Sequence, residues 1–233
     1  MNYELKLKRA RFIILSFLNF YIAAMFVAAC ETDSYEKGEG RYSLMQADMA
    51  DLSVNGQKRA VSFLTDDGDS YQLINPYTAK WIQTADTTYR TIIYYNKLRS
   101  GQAEVKSVGT VVTLQPIEHW RLKEQPQDPV GFESAWLAKN RRYLNVGLLV
   151  KTGRISDEEL PHKVGLAQDT VITHADGRQT ACYRLLHDQN DIPQYYTNRR
   201  YVSILLPQPL PDTIVFSLQT FDGVVKKRFL GGK

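Results

Sequence analysis

The stretch Tyr143-Leu144-Asn145-Val146-Gly147-Leu148-Leu149-Val150 places Leu144, Val146, Leu148 and Val150 at every second position, with Asn145, Gly147 and Leu149 between them. Successive side chains of a strand point to opposite faces, so this spacing describes a strand with one buried face. Ile214, Phe216 and Leu218 alternate in the same way with Val215, Ser217 and Gln219. No stretch of comparable length holds a helical period. Four turn dipeptides punctuate the apolar runs: Asn55-Gly56, Asp67-Gly68, Asp176-Gly177 and Asp222-Gly223. Such pairs accept the positive φ angles of two-residue hairpins, so each predicts antiparallel strands on either side. The chain reads as all-β with little helix.

Outward from this core, five strand candidates fall between Arg41 and Glu118, at about 42–50, 58–65, 70–75, 88–96 and 103–115. The last changes its apolar phase near Gly109, as a strand does at a bulge or a barrel corner. Five short strands in one segment predict a small OB-like barrel over 41–118. The segment 119–131 is polar and broken by Pro126 and Pro129, which predicts a linker. From 132 to 233, six or seven strand candidates with turns at regular intervals predict an immunoglobulin-like β-sandwich, its last hairpin fenced off by Pro207, Pro209 and Pro211.

The N-terminus belongs to neither domain. Lys6, Lys8, Arg9 and Arg11 lead into the apolar run from Phe12 to Ala29, the order of a secretory signal. A run of ~18 apolar residues also approaches the length of a transmembrane helix. Val27-Ala28-Ala29-Cys30 favours the signal, because it resembles a lipobox: small residues before a cysteine that takes a diacylglycerol. Residues 1–29 are therefore expected to be a lipoprotein signal peptide and Cys30 the lipidated first residue of the mature chain, with acyl chains holding it on a membrane. Residues 30–40 have little to bury and two glycines, and predict a flexible tether. Acidity beside Cys30 resembles the short signals that send some lipoproteins to the outer face of a Gram-negative envelope. The expected address is the outer membrane, with periplasmic and surface orientations both open.

Composition narrows the function. The chain carries 29 basic and 25 acidic residues, but without the first 29 residues 25 basic face 24 acidic. From Arg41 to Glu118 eight basic residues meet eight acidic ones. A neutral barrel outside the cytoplasm lacks the cationic surplus that a phosphate backbone demands, which excludes nucleic acid. With Cys30 lipidated, Cys182 has no partner for a disulfide and reads as a structural thiol on a strand.

Several motifs combine into a family likeness. The lipobox, Asp33-Ser34-Tyr35, Leu64-Thr65-Asp66-Asp67-Gly68, Tyr143-Leu-Asn-Val146, His162-Lys-Val164, Leu185-Leu-His187-Asp-Gln-Asn-Asp191 and Tyr201-Val-Ser-Ile204 together resemble the NigD-like lipoproteins. The resemblance spans nearly the whole mature chain, though each motif is short. It implies an N-terminal OB-like domain with a C-terminal β-sandwich, and no established catalytic activity. Asp188-Gln-Asn-Asp191 is a looser form of the family's polar turn.

Candidate chemistry is sparse. Asp66, Asp67 and Asp69 suggest part of a calcium loop, but the distal Glu of such a loop is missing and a hairpin tip fits better. His162, His174 and His187 are 12 and 13 residues apart, unlike the close pairs of zinc sites. No nucleophile elbow, S-x-x-K or phosphate loop occurs, Cys182 and His187 are only a chance pair, and Glu158-Glu159 are neighbours rather than carboxylates facing across a sugar. No metal or cofactor is expected. His187, with Asp188 and Asp191, is expected to order a turn or contact a ligand. Trp81 and Trp136 near strand ends are candidate ligand contacts, since aromatics stack on sugars or anchor protein partners but also simply pack. Asp86-Thr87-Thr88, Asp169-Thr170-Val171 and Asp212-Thr213-Ile214 resemble envelope O-glycosylation acceptors at Thr87, Thr170 and Thr213. Two classes of function stay open: a non-catalytic envelope module binding a glycan or an envelope protein, and a glycan-processing hydrolase with a site built from scattered residues.

Overall fold

The computed structural model describes residues 45–153 and 161–231; Cys30, the tether and Glu158-Glu159 lie outside them. The described chain is all-β, and its helix is limited to two single 3-10 turns, at Arg99–Gly101 and His119–Arg121.

The first five strands, β1 (Met45–Val54), β2 (Ala60–Thr65), β3 (Ser70–Tyr77), β4 (Thr87–Lys97) and β5 (Gln102–Thr110), close into a barrel in the order β1-β2-β3-β5-β4. Closure removes the free edges a small sheet would expose. Alternation sends Ala50, Leu52, Phe63, Tyr71, Ile93 and Tyr95 inward as the barrel core. Phe63 meets Tyr95 edge-on at 4.9 Å, and the Tyr95 hydroxyl leaves the core to donate to Asp48 Oδ2 at 2.9 Å.

The remaining strands form a sandwich. One sheet has five strands in the order β14-β13-β11-β10-β7 and the other four in the order β6-β12-β9-β8. Their spans are β6 (Val112–Leu114), β7 (Ile117–Glu118), β8 (Gly131–Leu137), β9 (Tyr143–Thr152), β10 (Lys163–Thr173), β11 (Gln179–Asp188), β12 (Tyr196–Leu205), β13 (Thr213–Thr220) and β14 (Gly223–Leu230). The alternating residues that set the fold, Leu144, Val146, Leu148, Ile214, Phe216 and Leu218, meet in its core.

Two boundaries differ from the expectation. The strand anticipated at 103–115 divides at Val111: β5 ends in the barrel, and β6 crosses into the sandwich to pair in parallel with β12. The chain thus leaves the barrel near residue 111, not at 119. The expected linker, moreover, is stitched down. His187 N donates to Pro126 O at 3.0 Å, Asp128 N to His187 O at 2.9 Å and Val130 N to Gln219 O at 3.1 Å. Proline there interrupts a ladder without freeing the chain.

The turn dipeptides do join antiparallel neighbours, but only the last lies at a two-residue loop, Phe221-Asp222, with Thr220 paired to Gly223 and Gly223 at φ 112°. At Asn55-Gly56 the Asn55 carboxamide accepts from the Gln57 and Arg59 amides, which opens a longer loop whose positive φ falls on Lys58.

Burial shows where barrel and sandwich pack. In β1, Met49 to Leu52 are buried without alternation, and in β9 so are Tyr143 to Leu148. A strand buried on both faces has a core on one side and another layer on the other.

Candidate functional site

Asp51 and Arg90 face each other across the β1–β4 ladder and point out of the barrel. Asn145 and Ser203 are likewise opposed on β9 and β12 and point away from the sandwich core. On isolated domains all four would be solvated. Here each lies between 0% and 7% exposed, because the two outward faces meet. Arg90 is the centre of the contact. Its Nε donates to Ser203 Oγ at 3.0 Å, and its Nη1 donates to Asp51 Oδ1 at 3.3 Å. Its Nη2 donates to Asp66 Oδ2 at 2.6 Å and to Asn145 Oδ1 at 3.0 Å. Asn145 in turn donates to Asp66 Oδ2 at 2.7 Å, and Ser203 donates to Asn145 Oδ1 at 2.7 Å. The Arg90 guanidinium lies over the Tyr143 ring, Cζ 3.9 Å from its centre, and burial with the Asp51 charge pushes the phenol pKa up. Arg142 caps the outer oxygen of Asp51 at 2.8 Å.

A guanidinium offers five donors in a rigid fork, which suits it to hold a carboxylate, an amide and a hydroxyl from three other strands and a second carboxylate from a turn at once. Asp66 and Asp67 do sit on a hairpin tip, and that tip reaches the sandwich: Asn140 N donates to Asp66 O at 2.9 Å, and Lys139 pairs with Asp67 at 2.5 Å. The network is a lock between domains. Its buried groups bond to one another, except that Asp66 Oδ1 is buried without a partner.

The histidine cluster is a second structural centre. His187 is buried, and its Nδ1 donates to the Asp128 carbonyl at 3.0 Å, which leaves Nε2 to accept from His162 Nδ1, also at 3.0 Å. The two rings are nearly parallel, 14° apart, with centres separated by 5.2 Å. Burial, then the neighbouring His187, lowers the pKa of His162. The His187 side chain thus pins the 126–130 segment beside it, not the Asp188-to-Asp191 turn. Asp188 pairs with Lys163 at 3.0 Å, which holds its carboxyl below the usual range, and it accepts the Asn190 amide at 2.8 Å. Asp191 is exposed at φ 57°. His174 lies elsewhere, at the β10–β11 turn against Thr180 Oγ1, and no group of three or more metal-ligating side chains occurs among the described residues. Both nitrogens of His187 are engaged, and it shares the inward parity of Tyr183 and Leu185 while Cys182 faces out. The Cys182/His187 pair is not formed.

The remaining candidates separate by exposure. Trp81 packs against Tyr77 and edge-on against Tyr89 at 5.4 Å, at the margin of the barrel core. Thr213 is buried, which removes it as an acceptor in the folded chain, whereas Thr170 is exposed and Thr87 partly so. A groove of about 730 Å³ beside Thr213 contains Arg178 and Asp212, but Arg178 is paired with Asp176 and Asp212 accepts the Gln179 amide.

Trp136 is different. It is 36% exposed and lies on the outer face of the four-stranded sheet, in the row of Asn145 but at the margin of the lock. Its ring meets Tyr201 edge-on at 6.2 Å and 78°. Tyr201 crosses Gly147, where a Cβ would stand 3.3 Å from its ring, 2.9 Å from Glu133 Oε2 and 2.7 Å from Ser134 Oγ. Glycine is required here because side chains from both flanking strands lie over the backbone. Glu133 pairs with Arg199 at 2.5 Å. An aromatic pair on this sheet face thus adjoins an ion pair. The apolar alternation of β9 drew attention inward, so Tyr201, Glu133 and Arg199 were missed; Gly147 amid large residues was the available signal.

No family model matches the chain, and no curated protein matches it in sequence. Solved structures do match in fold. A NigD-like immunity protein from Bacteroides caccae is 21% identical with a TM-score of 0.60, over 79% of this chain and 97% of its own. A protein of unknown function from Bacteroides vulgatus is 15% identical with a TM-score of 0.59, over 80% and 90%. A candidate lipoprotein from Bacteroides fragilis is 11% identical with a TM-score of 0.56, over 79% and 96%. The barrel-and-sandwich fold of this chain is similar to theirs along almost their whole length.

Proposed function

We propose that this chain is a lipid-anchored envelope protein that binds a glycan without turning it over, on the outer sheet face formed by Trp136, Tyr201, Glu133 and Arg199. The exposed Trp136 beside Tyr201 is the observation that carries the reading. Sugar rings present C–H faces to aromatic side chains, and their hydroxyls take hydrogen bonds from carboxylate and guanidinium groups at the rim. The other polar clusters favour a binding role by their engagement, since Arg90, Asp66, Asn145 and His187 are committed to holding the fold. Anchoring through Cys30 supports the same view, because many tethered copies compensate for weak single sites.

The test is retention of the full chain on immobilised polysaccharides and peptidoglycan. Trp136→Ala is expected to weaken retention by roughly 30-fold, the loss of an aromatic anchor worth ~2 kcal/mol, with the melting temperature unchanged. Equal retention by wild type and Trp136→Ala on every polysaccharide would refute the proposal. The likeness in fold to the NigD-like immunity protein of Bacteroides caccae favours a second reading, a protein partner; no polysaccharide retention, with capture of an envelope protein that Trp136→Ala abolishes, is the result that would favour it.

A further inference from the structure

The two outer edges of the five-stranded sheet are defended differently. β14 carries Lys226, Lys227 and Arg228 in succession, so a second copy approaching antiparallel would set cation against cation. Like charges opposed across strands repel, and lysine on an edge is a common guard against self-pairing. β10 has no such guard. Its outer neighbour β7 pairs only with Ala167 and Gln168, and the 3-10 turn His119–Arg121 that follows β7 also lies against β10. Beyond the register shift at Asp169, Thr170 to Thr173 pair with β11 alone among the described residues. That run, Thr170-Val171-Ile172-Thr173, has no charge, proline or glycine, and its Val171 and Ile172 are 43% and 45% exposed. Strand-forming residues on a bare edge template the addition of another strand.

We infer that Thr170–Thr173 is the edge through which a second copy of this chain docks, joining two five-stranded sheets into one. The choice of occupant rests on self-complementarity. Residues opposite each other in an antiparallel ladder share a face, so two identical strands meet about a two-fold axis that passes through a residue. An axis through Val171 sets Thr170 against Ile172; an axis through Ile172 sets Val171 against Thr173. Both registers place β-branched side chains together and oppose no like charges, in contrast to β14, where Lys227 would meet Lys227 or Lys226 would meet Arg228. Four residues a side bury less than the roughly 1,200–2,000 Å² of a stable complex, so the dimer is weak in solution and is reinforced where copies share a membrane. Only that reinforcement depends on the anchoring proposed above.

The test uses the full chain extracted in detergent, in a Cys182→Ser background. Val171→Cys and Ile172→Cys are oxidised separately, with Val224→Cys on β14 and the background itself as controls. One of the first two is expected to give a disulfide-linked homodimer well above both controls, namely the residue on the two-fold axis. Val171→Lys and Ile172→Lys, at exposed positions that leave the melting temperature in place, are expected to shift sedimentation to monomer. Cross-linking no greater than at Val224→Cys, dimers that persist in both lysine variants, or a photo-cross-linker at 171 that yields only conjugates to another protein would each overturn the inference.

Discussion

Replacing Arg90 with Met removes the fork that joins barrel to sandwich and leaves its partners in place. Asp66 keeps Asn145 on Oδ2, but its Oδ1, already buried without a partner, then belongs to a carboxylate with no buried cation. Asp51 retains Arg142 at 2.8 Å. Breaking a buried pair from one side costs about 3–5 kcal/mol, and the surviving Arg142 contact sets the expectation at the lower end, about 3 kcal/mol. For a fold of this size that lowers the melting temperature by roughly 6–12 °C. Arg142→Met is the internal control: its side chain is 49% exposed, and a half-solvated pair is worth at most ~1 kcal/mol. Denaturant unfolding is followed by fluorescence of Trp81 in the barrel and, in a second set of variants, of Trp136 in the sandwich. In the otherwise unaltered chain the two transitions coincide; in Arg90→Met they separate. An Arg90→Met cost within 0.5 kcal/mol of the Arg142→Met cost would refute the claim that the network locks the domains.

Further outcomes follow from other parts of the molecule. His162 has a lowered pKa in the fold, so folding favours its neutral form; the stability this gives is full above the ordinary imidazole value of about 6.5 and is lost as pH falls below it. Unfolding measured from pH 7.5 to 5 is expected to show that loss, and His162→Phe to flatten it; identical pH profiles would contradict it. Cys30→Ser is expected to abolish labelling by a tagged fatty acid and leave an uncleaved or soluble chain, and persistent labelling would sink the lipobox reading. Limited proteolysis is expected to spare 126–130, which is hydrogen-bonded to β11 and β13; a first cut there would show that the segment is a free linker.

Much of the fold was legible because one-sided burial writes itself as alternation. Leu144, Val146 and Leu148 announced the sandwich core, and Gly68, Gly177 and Gly223 all adopt the positive φ their turns suggested. The contacts between domains were not legible, because they use positions that alternation assigns to solvent. Asn145 reads as the polar face of β9 until the barrel covers it, and Arg90 within Tyr89-Arg-Thr-Ile-Ile93 reads as an outward charge. The residues that carry the family likeness gain a physical account: Asp66, Tyr143, Asn145 and Ser203 belong to the lock, and His162 and His187 to the histidine pair. Proline misled at 126 and 129, where the chain lies against the sheet through hydrogen bonds of Pro126 O, Asp128 N and Val130 N.

The fate of a polysaccharide that the full chain retains tests binding without catalysis most directly. After long incubation of the retained material, the soluble fraction is analysed for released sugars alongside variants of Glu133, His162 and His187. Retention that depends on Trp136, with no oligosaccharide released, is the expected result. Oligosaccharide that appears with the unaltered chain and vanishes when one of these carboxylate or histidine side chains is replaced would contradict binding without catalysis and establish a hydrolase.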